Sequence, residues 1–235
     1  MVKQLISSSH GVTTQPQLKR LCADITETLG VDYYLIALFT PLNTQHYDVF
    51  LINNYPEDWM EWYFEHNYRQ SDPVLEYAKS GVAPILWHRD FDAMPTDQQE
   101  VMEKAVEYGL KDGISIPIHG KGGTIGVFSI ANSEHIPDDK AFEIEANMLS
   151  IWPYLHSAMS RVNVCEPKTL TDREKEVLTW TAEGKTSWEA SQIIGVSEST
   201  INFHIKNCIN KLDAVNRHHA IAKAIIGGVI APDKL

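Results

Sequence analysis

The sequence predicts an α+β chain: an N-terminal α/β/α sandwich around an antiparallel sheet, then a C-terminal all-α domain of four helices containing a helix-turn-helix. Three observations carry that reading. Two short runs rich in aromatic and β-branched residues, "VDYYLIALFTPL" and "HYDVFLIN", end at turn residues as strands do. "GISIPIHGKGGTIGVFSIAN" alternates over 114–118 and 124–130 around a Gly-rich turn, which is the pattern of a hairpin. From residue 169 onward no strand pattern remains, and short capped helical segments follow one another.

Between the strands, helical periodicity falls at about 16–29, 56–68, 97–108 and 138–162. The last segment carries an apolar stripe read as Phe142, Ala146, Leu149, Ile151, Trp152 and Leu155, with Pro153 expected to kink it. Pro117 inside the hairpin points to an edge or a bulge. Strands separated by helices, with one hairpin, fit a central antiparallel sheet covered on both faces. Periodicity stops in "RVNVCEPKT", so the expected domains are 1–162 and 169–235, joined by a linker at 163–168 that contains Pro167.

Composition narrows the class. At 235 residues, 43% hydrophobic and 22% charged, the chain has the apolar content for a real core and reads as a soluble globular protein. It contains no run of eighteen apolar residues, and its N-terminus lacks the apolar block of a secretory signal. Cys22, Cys165 and Cys208 are odd in number and scattered, which is neither a disulfide framework nor a metal knuckle; a reducing cytoplasm is expected.

The net charge of −11 is uneven. Residues 169–235 carry eight Lys/Arg and eight Asp/Glu, so the whole excess lies in 1–168, with twelve against twenty-three. Within 199–225 the only carboxylate is Asp213, against Lys206, Lys211, Arg217 and Lys223. An acidic body with a locally basic tail is compatible with nucleic-acid binding.

The tail is punctuated by chemistry. Thr171 with Glu174, and Thr186 with Glu189, form capping-box pairs; Ser197 can cap a third helix; Gly184 and Gly195 sit where helices end. Helix 186–194, the break "GVS" and helix 198–212 make a helix-turn-helix. Ile201, Ile205, Cys208, Ile209 and Leu212 give the second helix an apolar face, and Asn202, Lys206, Asn207 and Lys211 lie elsewhere on the wheel. Asn can read adenine and Lys can reach guanine or phosphate, yet the same residues suit a solvated face in any helical hairpin.

The stretch "LTDREKEVLTWTAEGKTSWEASQIIGVSESTINFHIKNCINKLDA" resembles the DNA-binding module of LuxR-type regulators, including Glu174, Leu178, Gly184, Thr200 and Lys211. The resemblance implies a four-helix module whose third helix enters the major groove as half of a homodimer on double-stranded promoter DNA. It places Asn202 and Lys206 at base-facing sites with His204 and Lys211 beside them, and Ser197 and Thr200 complete the expected DNA-binding set. The "EGKTS" string is no phosphate loop, because Thr179 stands where the first glycine is required. A phosphorylated receiver in the first domain is excluded, since Asp32 precedes its strand and the strand order is wrong.

A dense aromatic stretch, "WMEWYFEHNYRQSDP" at 59–73, ends in an Asp-Pro pair. Read as structure alone, the aromatics are core, and Asp72 with Pro73 starts a helix. The order Tyr55, Trp59, Tyr63, Asp72, Pro73, Trp87 and Gly113 resembles the autoinducer-binding domain of the same family, and "GLKDGISIPIHGKGGTIGVFS" is similar to its Las-type acyl-homoserine-lactone receptors. Such a ligand has a lactone carbonyl, an amide N–H, an amide carbonyl and an apolar chain, and each polar atom needs a buried partner. The resemblance implies Trp59 donating to the lactone carbonyl and Asp72 accepting the amide N–H. Tyr63, Ser129 and Tyr55 then donate to the amide or acyl carbonyl, and Trp87 and Phe91 wall the lactone. Gly113 allows a close approach, and Leu35, Ala37, Leu51, Val74, Ile125 and Val127 are expected along the acyl chain. Val74 replaces a hydroxyl residue and Asp92 an aromatic of the Las-type receptors, which bears on how the lactone is covered.

No enzyme is expected. There is no G-x-S-x-G, and His46, His66, His88 and His119 show no metal spacing, so catalytic residues, a metal and a cofactor are all absent from the reading. The expected function is a cytoplasmic, acyl-homoserine-lactone-responsive regulator, activating through RNA polymerase, without membrane contact. A regulator of the same fold answering another small molecule, or none, is the alternative.

Overall fold

The computed structural model describes residues 2–42, 46–90, 95–120, 123–162 and 170–230. Phe91, Asp92, Cys165 and the expected linker at 163–168 lie outside them. The chain packs as two compact units, each described by itself.

The first unit is an α/β/α sandwich. Helices α1 (Val2–Ser9) and α2 (Gln15–Leu29) precede strands β1 (Tyr33–Pro41) and β2 (Tyr47–Asn53). Helices α3 (Glu57–Glu65) and α4 (Pro73–Ala78), the two-residue strand β3 (Ile85–Leu86), and helices α5 (Trp87–Asp90) and α6 (Thr96–Glu107) follow. The hairpin β4 (Asp112–His119) and β5 (Ile125–Asn132) and the long helix α7 (Asp138–Val162) complete it. The five strands run in the order β2-β1-β5-β4-β3, with β1/β5, β5/β4 and β4/β3 antiparallel.

Side-chain alternation divides the sheet into two unequal faces. Ile36, Leu38, Ile114, Ile116, Ile118, Phe128 and Ile130 meet α1, α2 and α7 in one large core. The other face offers smaller groups: Ala37 from β1, Val127, Ser129 and Ala131 from β5, Gly113 and Ser115 from β4. Helices α3 to α6 cover that face with aromatics and aliphatics. Large residues close one side of the sheet, and small ones leave room on the other.

Several local expectations change. The helix expected over 56–68 ends at Glu65, where Asn67 turns left-handed at φ 55° and a 3₁₀ turn spans Tyr68–Gln70. Helix α7 runs on through Pro153, because Ile151 and Leu155 on either side stay anchored in the core. Its apolar stripe is also rephased: Ala141, Ile144, Met148, Ile151, Leu155 and Ala158 are buried, while Phe142 is 73% and Leu149 45% exposed. Residue size was a poor guide to phase, since small Ala141 and Ala158 are buried in the core while larger Phe142 and Leu149 face outward. Pro117 pairs with Val127 inside β4, but β3 covers only Ile114 and Ser115, so no ladder donor is needed from residue 117 on that side.

The second unit holds α8 (Asp172–Ala182), α9 (Ser187–Ile194), α10 (Glu198–Lys211) and α11 (Arg217–Ile226). Both expected capping boxes form, at Thr171/Glu174 and Thr186/Glu189, and Ser197 caps α10 through the Thr200 N–H at 3.2 Å. Gly184 and Gly195 take φ of 84° and 76°, conformations open to glycine at little cost. The core is made by Val177, Leu178, Ala190, Ile201, Ile205, Cys208, Ala220 and Ala224.

Candidate ligand cavity and DNA-reading helix

The space left by the small-residue face is a cavity between the sheet and α3 to α6. Its lining is almost wholly apolar and includes Leu35, Ala37, Leu51, Val74 and Val127 of the expected acyl-chain contacts. Ile125 packs near the same core but does not line the cavity. The polar atoms are few: Tyr55, Trp59, Tyr63, Asp72 and Ser129 reach it, with Arg69 at the rim beside the Phe39 ring. The lining also takes in Met60, Phe64, Val101, Met102, Ala105 and Leu110. Residues from α6 carried no polar signature in the sequence, so nothing but their helical period could have flagged them.

Asp72 holds two groups at once. Its Oδ1 accepts from the backbone N–H of Val74 at 2.8 Å and of Leu75 at 3.3 Å, capping α4 as the Asp-Pro pair predicts. Its Oδ2 accepts the Tyr63 hydroxyl at 2.7 Å. In this structure Tyr63 therefore gives its proton to Asp72 rather than to the open cavity. Burial pushes the Asp72 carboxyl above its ordinary range, although Tyr63, Leu75 and Val74 all favour the ionised form.

Trp87 lines the cavity and donates from Nε1 to Ser115 Oγ at 2.9 Å; Ser115 and Ser129 share a hydrogen bond at 2.7 Å. The chain thus runs from indole to Ser115 to Ser129, delivering a hydroxyl to the cavity wall. Gly113 does not line the cavity. A Cβ there would lie 2.6 Å from the Ile130 carbonyl and 2.9 Å from the Trp87 ring, so the close approach is made by Trp87 itself. Gly113 seats the indole, and only through it touches the cavity.

Tyr55 is the exception to a paired interior. Its hydroxyl is buried beside Asp72 and Ser129, and the Ser129 hydroxyl approaches it without completing a hydrogen bond. Burial and the neighbouring Asp72 push its pKa upward, so it stays a neutral hydroxyl. A buried hydroxyl without a partner costs about 1–3 kcal/mol. Placed in an apolar cavity, it asks for a polar group from a guest. Trp59, 5% exposed, packs against Trp62 and Tyr63 and forms the cavity wall beside it.

On α10, Ile201, Ile205 and Cys208 face the bundle, and Asn202, Phe203, Lys206 and Asn210 are exposed on the outer side. The expected DNA-binding residues separate into groups. Ser197 and Thr200 cluster at the helix N-terminus, where Ser197 Oγ lies 2.8 Å from Thr200 Oγ1. Lys206 points outward without an ion pair among the described residues. Asn202 Oδ1 accepts from Ser187 Oγ of α9 at 2.8 Å, which holds its amide in place across the turn. His204 is half-buried with Nδ1 unpaired among the described residues. Lys211 turns inward: its ammonium pairs with Glu174 at 2.7 Å, and Glu174, only 4% exposed, also accepts the Thr171 N–H. Lys211 thereby locks α10 onto the start of α8 while its side chain stays 38% exposed.

The comparisons with known proteins agree with this geometry. The autoinducer-binding-domain family model matches residues 14–159, and the model of bacterial regulatory proteins of the luxR family matches residues 168–224. The chain belongs to the LuxR family. It is 35% identical over 232 residues to the transcriptional activator AhyR of Aeromonas hydrophila, covering 94% of this chain and 89% of that one. It is 33% identical over 233 residues to the transcriptional activator LuxR of Aliivibrio fischeri, covering 97% and 93%. Among solved structures, Escherichia coli SdiA superposes with a TM-score of 0.85 at 28% identity over 98% of both chains. As a LuxR-family member the chain is a transcription regulator with a small-molecule domain and a DNA-binding domain; its family is not one of enzymes. No described helix is long and apolar enough to cross a membrane.

Proposed function

We propose that this LuxR-family regulator binds an N-acyl-homoserine lactone in the cavity of its first unit and, as a homodimer, a palindromic promoter site through α10. The observation that carries the ligand is a largely apolar cavity whose few polar groups include a buried Tyr55 hydroxyl with no completed hydrogen bond. The ligand's amide N–H meets the remaining lone pairs of Asp72, a charge-assisted bond. Tyr55 and Ser129 donate to a carbonyl, Trp59 donates to the lactone carbonyl, and the acyl chain takes the apolar lining. A group that fills a cavity in the folded state and not in the unfolded chain stabilises the fold by mass action. DNA recognition follows from α10, with Lys206 and Asn202 toward the bases and Ser197 and Thr200 toward phosphate.

AhyR and LuxR are named as transcriptional activators; for this chain we propose activation through RNA polymerase, in the cytoplasm. Ligand identity is tested by extracting the purified full-length protein and identifying what it carries by mass spectrometry. An acyl-homoserine lactone is expected. A different amphiphile would replace the lactone reading.

One observation favours that second reading. SdiA has also been solved in complex with octanoyl-rac-glycerol, at a TM-score of 0.83 and 25% identity to this chain. An acylglycerol offers an apolar chain, an ester carbonyl and free hydroxyls, and a hydroxyl can donate to Asp72 in place of the amide N–H.

A further inference from the structure

Three residues from separate elements converge on the side of the sandwich where α5, β4 and α7 begin. Asp112, the first residue of β4, is 1% exposed. The Nδ1 atoms of His88 on α5 and of His135, which lies between β5 and α7, each sit 2.9 Å from the same Asp112 oxygen, Oδ2. All three donor atoms lie within 4.8 Å of one another. Sequence spacing gave no sign of this, because 24 residues separate His88 from Asp112 and the third member comes from beyond the hairpin.

The carboxylate is fixed in advance by the backbone. Gly113 N–H donates to Oδ1 at 2.8 Å and Ile136 N–H to Oδ2 at 3.0 Å. His88 is fixed from its other side, where Nε2 meets Asp138 Oδ1 at 3.1 Å. Both ring nitrogens of His88 thus face carboxylates, an arrangement met either by an imidazolium, which Asp112 and Asp138 favour, or by a neutral ring with a metal ion at Nδ1. With the ion at Nδ1, Nε2–H donates to Asp138. That is the carboxylate–histidine–metal arrangement found around ligating imidazoles.

We propose that His88, Asp112 and His135 bind a divalent transition metal of the Zn²⁺ class. Two imidazole nitrogens and one carboxylate oxygen suit that ion, whereas Ca²⁺ and Mg²⁺ favour all-oxygen sets. Neighbouring ligands around a tetrahedral Zn²⁺ stand roughly 3.3 Å apart, a figure that follows from Zn–N bonds of about 2.0 Å. The observed 2.9 Å separations need to open by only a few tenths of an ångström. His135, 58% exposed, is free to make that movement and leaves the remaining coordination position to water. As the ion binds, a neutral ring moves its Nδ1 proton to Nε2, and an imidazolium releases its Nδ1 proton to solvent. Its structural effect is to tie α5 to β4 directly beside Trp87, the residue before His88 and part of the cavity wall.

The test uses untagged full-length protein, stripped with a chelator and then titrated with Co²⁺ and Zn²⁺. Co²⁺ is expected to give one saturable visible absorption band per chain, with an intensity typical of four-coordinate cobalt, and Zn²⁺ to abolish it by competition. Zn²⁺ is also expected to raise the melting temperature. The chain has ten histidines, so the decisive comparison is His135→Ala, with His135→Gln as a second variant should the first fold poorly. Loss of the band and of the Zn²⁺-induced melting shift in a folded His135 variant supports the site. No saturable band in the wild type, or the same band and shift in the variant, overturns it and leaves the cluster a hydrogen-bonded brace. Neither lactone nor DNA enters the measurement, so its outcome is independent of the proposed function.

Discussion

The Tyr63 hydroxyl donates to Asp72 Oδ2 at 2.7 Å, while the other Asp72 oxygen caps α4. One carboxylate thereby joins α3 to α4 across the mouth of the cavity. Replacing Asp72 with Ala removes the cap, worth about 1 kcal/mol, and leaves the partly buried Tyr63 hydroxyl without its acceptor, worth about 1–3 kcal/mol. Urea denaturation of Asp72→Ala is expected to show a total loss of about 2–4 kcal/mol. An unchanged midpoint and slope would refute the double role.

Tyr55 predicts the opposite pattern in the free protein. Tyr55→Phe removes a buried hydroxyl that has no partner, so the stability of the unliganded protein is expected to hold or rise by about 1 kcal/mol. Ligand affinity is expected to fall by about tenfold, one hydrogen bond's worth. Thermal melts with and without ligand separate the two effects. A variant that is destabilised when free, yet binds normally, would show that the hydroxyl serves the fold and not the guest.

Gly113→Ala places a methyl group against the Ile130 carbonyl and the Trp87 ring. The indole must move, breaking its bond to Ser115 and disturbing the wall that presents Ser129. A loss of about 1–3 kcal/mol is expected, with a red-shifted tryptophan emission as the ring meets water. Wild-type emission and stability would contradict the seating role.

Two carboxylates make pH dependences of opposite sign. Burial alone would raise Glu174, but the Lys211 ammonium and Thr171 outweigh it and hold its pKa below the ordinary value of 4.5. Its contribution to stability is therefore complete above the unfolded-state pKa and is lost as pH falls through the lower folded value. Glu174→Gln is expected to flatten the acid limb of the stability curve. Asp72 is raised by burial, so protonation favours its folded state, and that contribution declines as pH rises from the ordinary carboxylate value through the raised one. Asp72→Asn is expected to remove that decline. Denaturation across about pH 3 to 7 in both variants reads the two signs separately.

Lys206 and Lys211, five residues apart on α10, are expected to behave differently. Lys206→Ala is expected to weaken DNA binding and reduce the salt dependence by about one phosphate contact or to relax one base preference, without altering the melt. Lys211→Ala leaves Glu174 buried and unpaired, and is expected to lower stability by about 1–3 kcal/mol, a figure discounted because Lys211 is partly exposed. Equal effects of both changes on DNA binding, with neither affecting the melt, would contradict the inward assignment of Lys211.

The frame of the fold was legible because it is written in short-range chemistry. Capping boxes at Thr171 and Thr186, the Asp72-Pro73 start and the left-handed glycines at 184 and 195 each satisfy local backbone groups, and each is where the sequence put it. What escaped was tertiary. The phase of α7 depends on which residues the core takes in, small Ala141 and Ala158 among them, and the strand β3 has two residues and exists only because β4 pairs with it. In the site, Tyr55, Trp59, Tyr63, Asp72, Val74, Trp87 and Ser129 do gather around one cavity. The Tyr63 proton, the seating role of Gly113 and the inward Lys211 depend on partners distant in sequence, which no spacing rule reveals. The same holds for the convergence of His88, Asp112 and His135.

The central claim is that the Asp72 carboxylate accepts the amide N–H of an acyl-homoserine lactone inside this cavity. The measurement that tests it most directly is calorimetric titration of full-length protein with short- and long-chain lactones, for the wild type and for Asp72→Asn. The Asn side chain keeps an oxygen for the α4 cap but turns an NH₂ toward the ligand in place of an acceptor. The wild type is expected to bind at least one of the lactones, and Asp72→Asn, still folded, to bind it at least about tenfold more weakly. Failure of every lactone to bind the wild type, or equal affinity in Asp72→Asn, would contradict it.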